Sequence, residues 1–97
     1  MTDAPEKYEQ VFSKTAMEHV KEIAKSGQKS KVERLKKIIK ELKTTPEKGI
    51  GKPERLKWEM QGLWSREISK KDRIVYSIDE DGNIVNVVSA IGHYKDK

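Results

Sequence analysis

Six side chains in the second half of the chain have the types needed for proton transfer and phosphate binding. They comprise one carboxylate, three cations, one histidine and one tyrosine: Glu54, Lys57, Arg66, Arg73, His93 and Tyr94. RNA can be cut without a metal when its own 2′-hydroxyl attacks the neighbouring phosphorus. That reaction needs a base for the hydroxyl, cations for the charge that builds on phosphorus, and an acid for the departing 5′-oxygen. We interpret the set as a candidate metal-free acid–base site.

Four of these residues fit particular roles in such a site. Glu54 is a candidate base. Arg73 and Lys57 can hold phosphate, the arginine through its planar fork of donors. His93 suits the acid, because histidine is the side chain that ordinarily titrates near neutral pH. A purely structural interpretation stays open for each of them, with Glu54 as one more exposed carboxylate and the cations in surface ion pairs.

The sequence lacks the residue patterns that other common catalytic chemistries require. The chain has no cysteine, which excludes disulfides and thiol catalysis. Its two histidines, His19 and His93, are far apart and form no recognisable pattern of metal ligands. Residues 49–52 are too few for a phosphate-binding loop and lack its serine or threonine. We therefore predict no metal site and no cofactor.

Length and composition predict one small domain over residues 1–97. Hydrophobic residues make up 34% of the chain and charged residues 38%, with both signs mixed. The net charge of +5 suits a polyanionic partner, although solubility explains it equally well. No apolar stretch has the length of a signal or membrane-spanning segment. A cytoplasmic protein without membrane contact is expected.

The first half of the chain predicts a short strand, residues 8–12, and two amphipathic helices. Thr15 and Ser30 each begin a capping-box pattern, with glutamate three residues later. Apolar residues follow at helical spacing: Met17, Val20, Ile23 and Ala24, then Val32, Leu35, Ile38, Ile39 and Leu42. Gly27 and residues 44–46 end the helices. Their charged faces are either simply solvated or able to bind nucleic acid.

The second half predicts an antiparallel meander of three or four strands. Period-two runs cover residues 56–60, 63–68, 74–78 and 84–90, and the last is expected to continue through residue 94. Turns are expected at residues 61–62 and 79–83, the second with Asp-Gly at its centre. Helices followed by a sheet define an α+β class. We predict two N-terminal helices packed on a small twisted antiparallel sheet.

Five motifs in this half resemble those of one known family. They are Gly51-Lys52-Pro53-Glu54, Leu56-Lys57, Gly62-Leu63-Trp64-Ser65-Arg66, Arg73-Ile74-Val75-Tyr76 and His93-Tyr94, in that order. Any one of them is a weak signal, but the ordered series is specific. The series is similar to that of the Txe/YoeB toxins of bacterial toxin–antitoxin systems, within the RelE superfamily.

This resemblance implies an activity, site residues and partners. Txe/YoeB toxins are small ribonucleases that cut mRNA in the ribosomal A site. Residue by residue, the resemblance implies catalytic roles for Glu54, Arg73, His93 and Tyr94, and RNA-binding roles for Lys52, Lys57 and Arg66. The implied partners are a cognate antitoxin, mRNA and the ribosome, with operator DNA contacted only through the antitoxin complex. A homodimer stays open.

Two positions depart from the family pattern. Glu67 stands where a second arginine is usual, and Asp72 stands where a histidine often precedes the arginine. The Glu67 carboxylate removes a phosphate contact and adds repulsion toward RNA. Two alternatives therefore stay open: a non-catalytic ribosome- or RNA-binding module, and a RelE-fold relative that acts on another target.

Overall fold

The computed structural model of the chain describes residues 7–92 and shows two helices packed on a five-stranded sheet. The elements are β1 (Glu9–Phe12), α1 (Lys14–Lys25), α2 (Lys29–Leu42), β2 (Glu54–Arg55), β3 (Trp64–Glu67), β4 (Arg73–Asp79) and β5 (Ile84–Ser89). A 3₁₀ turn at Trp58–Met60 lies between β2 and β3. The predicted α+β class with two N-terminal helices is confirmed. His93 and Tyr94 lie outside the described residues.

The sheet is mixed rather than wholly antiparallel. Its strand order is β1-β5-β4-β3-β2. β2 to β5 form the predicted antiparallel meander, but β1 pairs parallel with β5, with Gln10 opposite Val85 and Phe12 opposite Val87. A parallel pair needs a long connection. Here the chain passes through both helices to the far edge at β2 and then returns strand by strand to β5.

Both helices form where predicted, but their caps are other residues. The Ser13 hydroxyl caps α1 by accepting a hydrogen bond from the Ala16 amide at 2.9 Å, so Thr15 lies inside the helix. α2 follows Gln28, which makes no side-chain capping bond, and Ser30 is likewise inside the helix. The capping-box prediction is wrong at both sites because the residue with extended backbone angles, which defines the cap, lies two positions earlier.

One face of each helix packs on the sheet. The predicted stripe of α2 supplies three buried residues: Leu35, Ile38 and Leu42. In α1 the buried residues are Ala16 and Ile23, which lie two turns apart on one face. Met17 is 51% exposed and Ala24 is also exposed. The predicted stripe of α1 is therefore wrong at these two positions and right at Ile23.

The segment from residue 56 to residue 62 is a loop rather than the predicted strand. β2 has only two residues, and the Leu56 amide donates a hydrogen bond to the Leu63 carbonyl at 2.9 Å. This bond closes the hairpin and leaves the residues between without a partner strand. Trp58 takes a φ of 54°, outside the strand region, and its side chain is 60% exposed. The predicted turn at Gly62 is present, with a φ of 95°.

β5 ends at Ser89 and does not continue as predicted. The Ala90 and Ile91 amides donate hydrogen bonds to His19 Nδ1 at 3.0 and 3.1 Å instead of extending a strand ladder. At the other end of β5, the predicted hairpin turn is present. There Asp79 Oδ1 accepts a hydrogen bond from the Gly82 amide at 3.1 Å.

Candidate active site

Glu54 and Arg73 meet on the sheet face that points away from the helices. The register places Glu54 opposite Ser65 and Ser65 opposite Val75. Since side chains alternate along a strand, Arg73 lies on the same face as Val75. Arg73 Nη1 lies 3.3 Å from Glu54 Oε1 and donates a hydrogen bond to Ser65 Oγ, also at 3.3 Å. The Arg73 and Glu54 side chains are 29% and 54% exposed, so a carboxylate and a phosphate-binding cation lie side by side and accessible.

Gly51 brings the strand that carries Glu54 against β3. Its carbonyl accepts a hydrogen bond from the Glu67 amide at 2.6 Å. Its φ of 86° is in the region that glycine adopts without strain. A Cβ at this position would lie 2.8 Å from the Glu67 carbonyl oxygen. The close approach therefore requires glycine, and it fixes where Glu54 reaches the sheet.

Both lysines that are predicted to bind RNA flank Glu54 along the chain. Lys52 and Lys57 are both exposed. Lys57 Nζ lies 6.0 Å from the centroid of the Trp58 ring. Both lysines add positive charge to the stretch that carries Glu54, and their contact with RNA stays a prediction.

Arg66, the third predicted RNA-binding residue, is fully buried on the helix side of the sheet. Its Nη1 pairs with Glu41 Oε1 at 2.7 Å. Its Nη2 donates hydrogen bonds to the Thr45 and Lys48 carbonyls at 2.7 and 2.6 Å. The prediction that Arg66 binds RNA is therefore contradicted by its burial, and so is the alternative that Arg66 forms a surface ion pair. Arg66 instead ties the loop after α2 to the sheet.

Tyr76 completes this buried cluster. Its hydroxyl accepts a hydrogen bond from Arg66 Nε at 3.2 Å and donates one to the Pro46 carbonyl at 2.6 Å. Burial raises the pKa of the Tyr76 hydroxyl above its ordinary value, against the smaller opposing effect of Arg66. The hydroxyl accordingly stays protonated and keeps donating to the loop.

Asp72 connects the site to the last described residue. Its Oδ1 accepts a hydrogen bond from the Gly92 amide at 2.8 Å, and its Oδ2 pairs with the Lys31 ammonium of α2. The Arg73 amide donates a hydrogen bond to the Gly92 carbonyl at 2.9 Å. Gly92, the residue before His93, is thus fastened beside Arg73. Sequence reasoning missed this role of Asp72, because no spacing pattern links residues 31, 72 and 92.

The Asp72 pair makes stability depend on pH in the acidic range. Burial alone raises the pKa of the Asp72 carboxyl, but the Gly92 amide, Lys31 and Ser69 together hold it below the ordinary 3.8. A lowered pKa in the folded state means that the stabilisation is complete above the unfolded value and is lost as the pH falls through the folded value. The difference in unfolding free energy between wild type and Asp72→Asn is expected to shrink below about pH 3.8. Urea denaturation at several pH values checks this, and a constant difference down to about pH 2 would contradict it.

Glu67 lies on the same face as the Glu54–Arg73 pair. It is directly opposite Arg73 in the ladder between β3 and β4. Side chains opposite each other in an antiparallel pair have Cβ atoms about 5 Å apart. The carboxylate that departs from the family pattern therefore stands next to the candidate phosphate-binding arginine.

The described residues bring only part of the predicted catalytic set together. Glu54 and Arg73 are in contact, whereas His93 and Tyr94 lie outside residues 7–92. Within that range, no group of three or more His, Cys, Asp or Glu residues could hold a metal ion. No helix in the described part of the chain is long and apolar enough to cross a membrane.

Solved structures with the same architecture are bacterial toxins. The YoeB/ParE toxin from Agrobacterium tumefaciens is 32% identical, with a TM-score of 0.79 over 88% of this chain and 98% of that one. YoeB in the YoeB–YefM complex from Staphylococcus aureus is 32% identical, with a TM-score of 0.74 over 90% of this chain and 98% of that one. The fold is that of the RelE/YoeB-like toxins.

The family follows from the sequence match. The model of the YoeB-like toxin of bacterial type II toxin–antitoxin systems matches residues 12–94. The toxin YoeB of Escherichia coli O6:H1 strain CFT073 is 41% identical over 54 residues, which span 56% of this chain and 64% of that toxin. This chain belongs to the YoeB-like toxin family.

Proposed function

We propose that the chain is a ribosome-dependent mRNA endoribonuclease, the toxin of a toxin–antitoxin module. The observation that carries the proposal is the 3.3 Å contact between Arg73 Nη1 and Glu54 Oε1 on an accessible sheet face. A base and a phosphate-binding group must lie within a few ångströms of each other to act on one phosphodiester. Membership of the YoeB-like family supports the same activity.

Four residues carry out the steps of the reaction. Glu54 takes the proton of the 2′-hydroxyl, whose oxygen then bonds to phosphorus. Arg73, helped by Lys57, stabilises the negative charge on the pentacoordinate phosphorus. His93 donates a proton to the 5′-oxygen as its bond to phosphorus breaks. The products are a 2′,3′-cyclic phosphate and a 5′-hydroxyl, and no external reactant is needed.

Ser65 holds the phosphate-binding group in place. It is fully buried, and its hydroxyl oxygen accepts the 3.3 Å hydrogen bond from Arg73 Nη1. The guanidinium is thereby oriented before RNA arrives, which lowers the cost of ordering it on binding. Tyr94 follows His93 directly and is assigned with it to the catalytic segment.

An antitoxin is the second partner in this proposal. The Staphylococcus aureus relative was solved in complex with YefM. We expect a cognate antitoxin to cover the face that carries Glu54 and Arg73 in the cytoplasm and to block cleavage. Operator DNA would be contacted only through that complex.

The position of Glu67 opposite Arg73 favours one competing function, a toxin-like module that binds the ribosome without cutting RNA. A cleavage assay on translating ribosomes with wild type and Glu67→Arg separates the two. Wild type is expected to cleave. Glu67→Arg is expected to bind programmed ribosomes about tenfold more tightly, because a charge-assisted hydrogen bond to phosphate contributes about 1.5 kcal/mol or more.

Glu22→Arg is the matched control, since it makes the same charge reversal at an exposed position of α1, on the other side of the sheet. It should leave both affinity and cleavage near the wild-type values. Binding by wild type without cleavage, together with cleavage by Glu67→Arg, would favour the binding module. Neither binding nor cleavage by any variant would contradict the proposed function.

A further inference from the structure

The turn after β5 is fastened through three consecutive backbone amides. The Ala90 and Ile91 amides donate hydrogen bonds to Nδ1 of His19, on α1, at 3.0 and 3.1 Å. The Gly92 amide donates one to Asp72 Oδ1 at 2.8 Å. None of these bonds belongs to a strand ladder. Side chains from two distant parts of the chain thus hold residues 90–92, which we call the C-terminal anchor.

The anchor is joined directly to the candidate site. The Gly92 carbonyl accepts a hydrogen bond from the Arg73 amide at 2.9 Å. The adjacent residues Asp72 and Arg73 therefore bind both backbone polar groups of Gly92, its amide and its carbonyl. Asp72 is itself held by Lys31, and the Arg73 side chain contacts Glu54. A continuous path of ion pairs and hydrogen bonds therefore runs from α2 through Gly92 to Glu54.

We propose that His19 and Asp72 are positioning residues for the reaction, because they fix the C-terminal anchor, which is hydrogen-bonded to the Arg73 amide and is followed directly in the sequence by residues 93 and 94. This inference rests on the proposed function, in which His93 supplies the acid. Neither His19 nor Asp72 contacts the RNA in this scheme. Their effect comes from placement, because an error of about 1 Å in the position of a catalytic group costs about 100-fold in rate.

The chemistry of the two acceptors makes the proposal testable by conservative substitution. His19 Nδ1 accepts two amide hydrogen bonds, so its imidazole carries its proton on Nε2. The amide oxygen of asparagine is separated from Cβ by the same number of bonds as Nδ1 of histidine. His19→Asn and Asp72→Asn therefore keep an acceptor for the anchor, whereas His19→Ala and Asp72→Ala remove it.

The experiment measures single-turnover cleavage of mRNA and the affinity for programmed ribosomes separately. The alanine variants are expected to cleave about 10- to 100-fold more slowly, with unchanged ribosome affinity. The asparagine variants should recover most of the rate. Asp79→Ala is the matched control, because it removes the same kind of bond, from the Gly82 amide to Asp79 Oδ1, at the opposite end of β4.

Hydrogen exchange at the amides of residues 90–92 provides a readout that does not depend on activity. Exchange should accelerate in the alanine variants and stay slow in the asparagine variants and Asp79→Ala. If His19→Ala is unfolded at the assay temperature, His19→Gln is measured in its place. Glutamine keeps a polar acceptor but moves it by one methylene, so its rate should still fall below that of His19→Asn.

Two results would overturn the inference, and they are distinguishable. Folded variants with fast exchange at the anchor but a wild-type cleavage rate would show that His19 and Asp72 stabilise the turn without positioning the catalytic segment. The proposed function would then stand. A wild-type protein that binds ribosomes without cutting RNA would instead remove the reaction itself, and the positioning role with it.

Discussion

Replacing Glu54 with alanine is expected to slow RNA cleavage by about 10²- to 10⁴-fold, the usual cost of losing a positioned proton-transfer group. The fold should stay intact, because the Glu54 side chain is 54% exposed and its ion pair is with the partly exposed Arg73. His93→Ala is expected to lose activity to the same extent. The measurement is single-turnover cleavage on programmed ribosomes, with circular dichroism to confirm folding.

Glu59→Ala is the matched control for this prediction. Glu59 is an exposed carboxylate in the 3₁₀ turn next to the same strand, so its removal changes the local charge equally but takes away no proposed base. Its cleavage rate should stay close to that of wild type. A Glu54→Ala protein that cleaves as fast as Glu59→Ala would show that another group accepts the 2′-hydroxyl proton.

Replacement of the buried Arg66 is expected to have a large effect on stability. Arg66→Met is expected to lower the free energy of unfolding by about 3 kcal/mol or more, because it removes the fully buried partner of the ion pair with Glu41 together with the hydrogen bonds that the guanidinium donates. The carbonyls of Thr45 and Lys48 and the carboxylate of Glu41 all lose a bond. Since a small domain is stable by only about 5 to 15 kcal/mol, this is a large fraction of the total. Urea denaturation measures it.

Arg73→Met is the comparison variant for Arg66→Met, since it removes an arginine from the neighbouring strand. Arg73 makes its ion pair at an accessible position, where such pairs contribute about 1 kcal/mol or less. We therefore expect Arg73→Met to keep nearly normal stability but to lose cleavage. If Arg66→Met proved as stable as Arg73→Met, the buried cluster would not be what holds the loop after α2.

Elements whose signal is local could be predicted from the sequence. The stripe through Leu35, Ile38 and Leu42 correctly predicts the buried face of α2, because helical periodicity directly reflects which side faces the core. The Asp-Gly turn between β4 and β5 was also predictable, because this pair of residues by itself favours a tight hairpin turn. The alternation at residues 56–60 failed, because a strand also needs a partner and β3 pairs with only two residues of β2.

Whether an individual charged residue is buried or exposed could not be predicted, because its burial depends on distant parts of the chain. Arg66 and Arg73 lie in similar sequence surroundings, yet one faces the helices and is buried while the other faces away and is accessible. Glu41, which pairs with Arg66, lies 25 positions away. One of the two side chains that hold residues 90–92 comes from still farther, since His19 lies 71 positions before Ala90. No local pattern contains these contacts.

The chemistry of the cut ends distinguishes attack by the 2′-hydroxyl from attack by water. Wild-type protein is incubated with ribosomes translating a defined mRNA, and the new ends are identified by their reactivity toward kinase and phosphatase. Attack by the 2′-hydroxyl, with Glu54 as base and His93 as acid, predicts a 5′-hydroxyl on one product and a 2′,3′-cyclic phosphate, or its opened phosphate, on the other. Products with 5′-phosphate ends would show that water attacks the phosphorus instead, and would contradict the roles assigned to Glu54, Arg73 and His93.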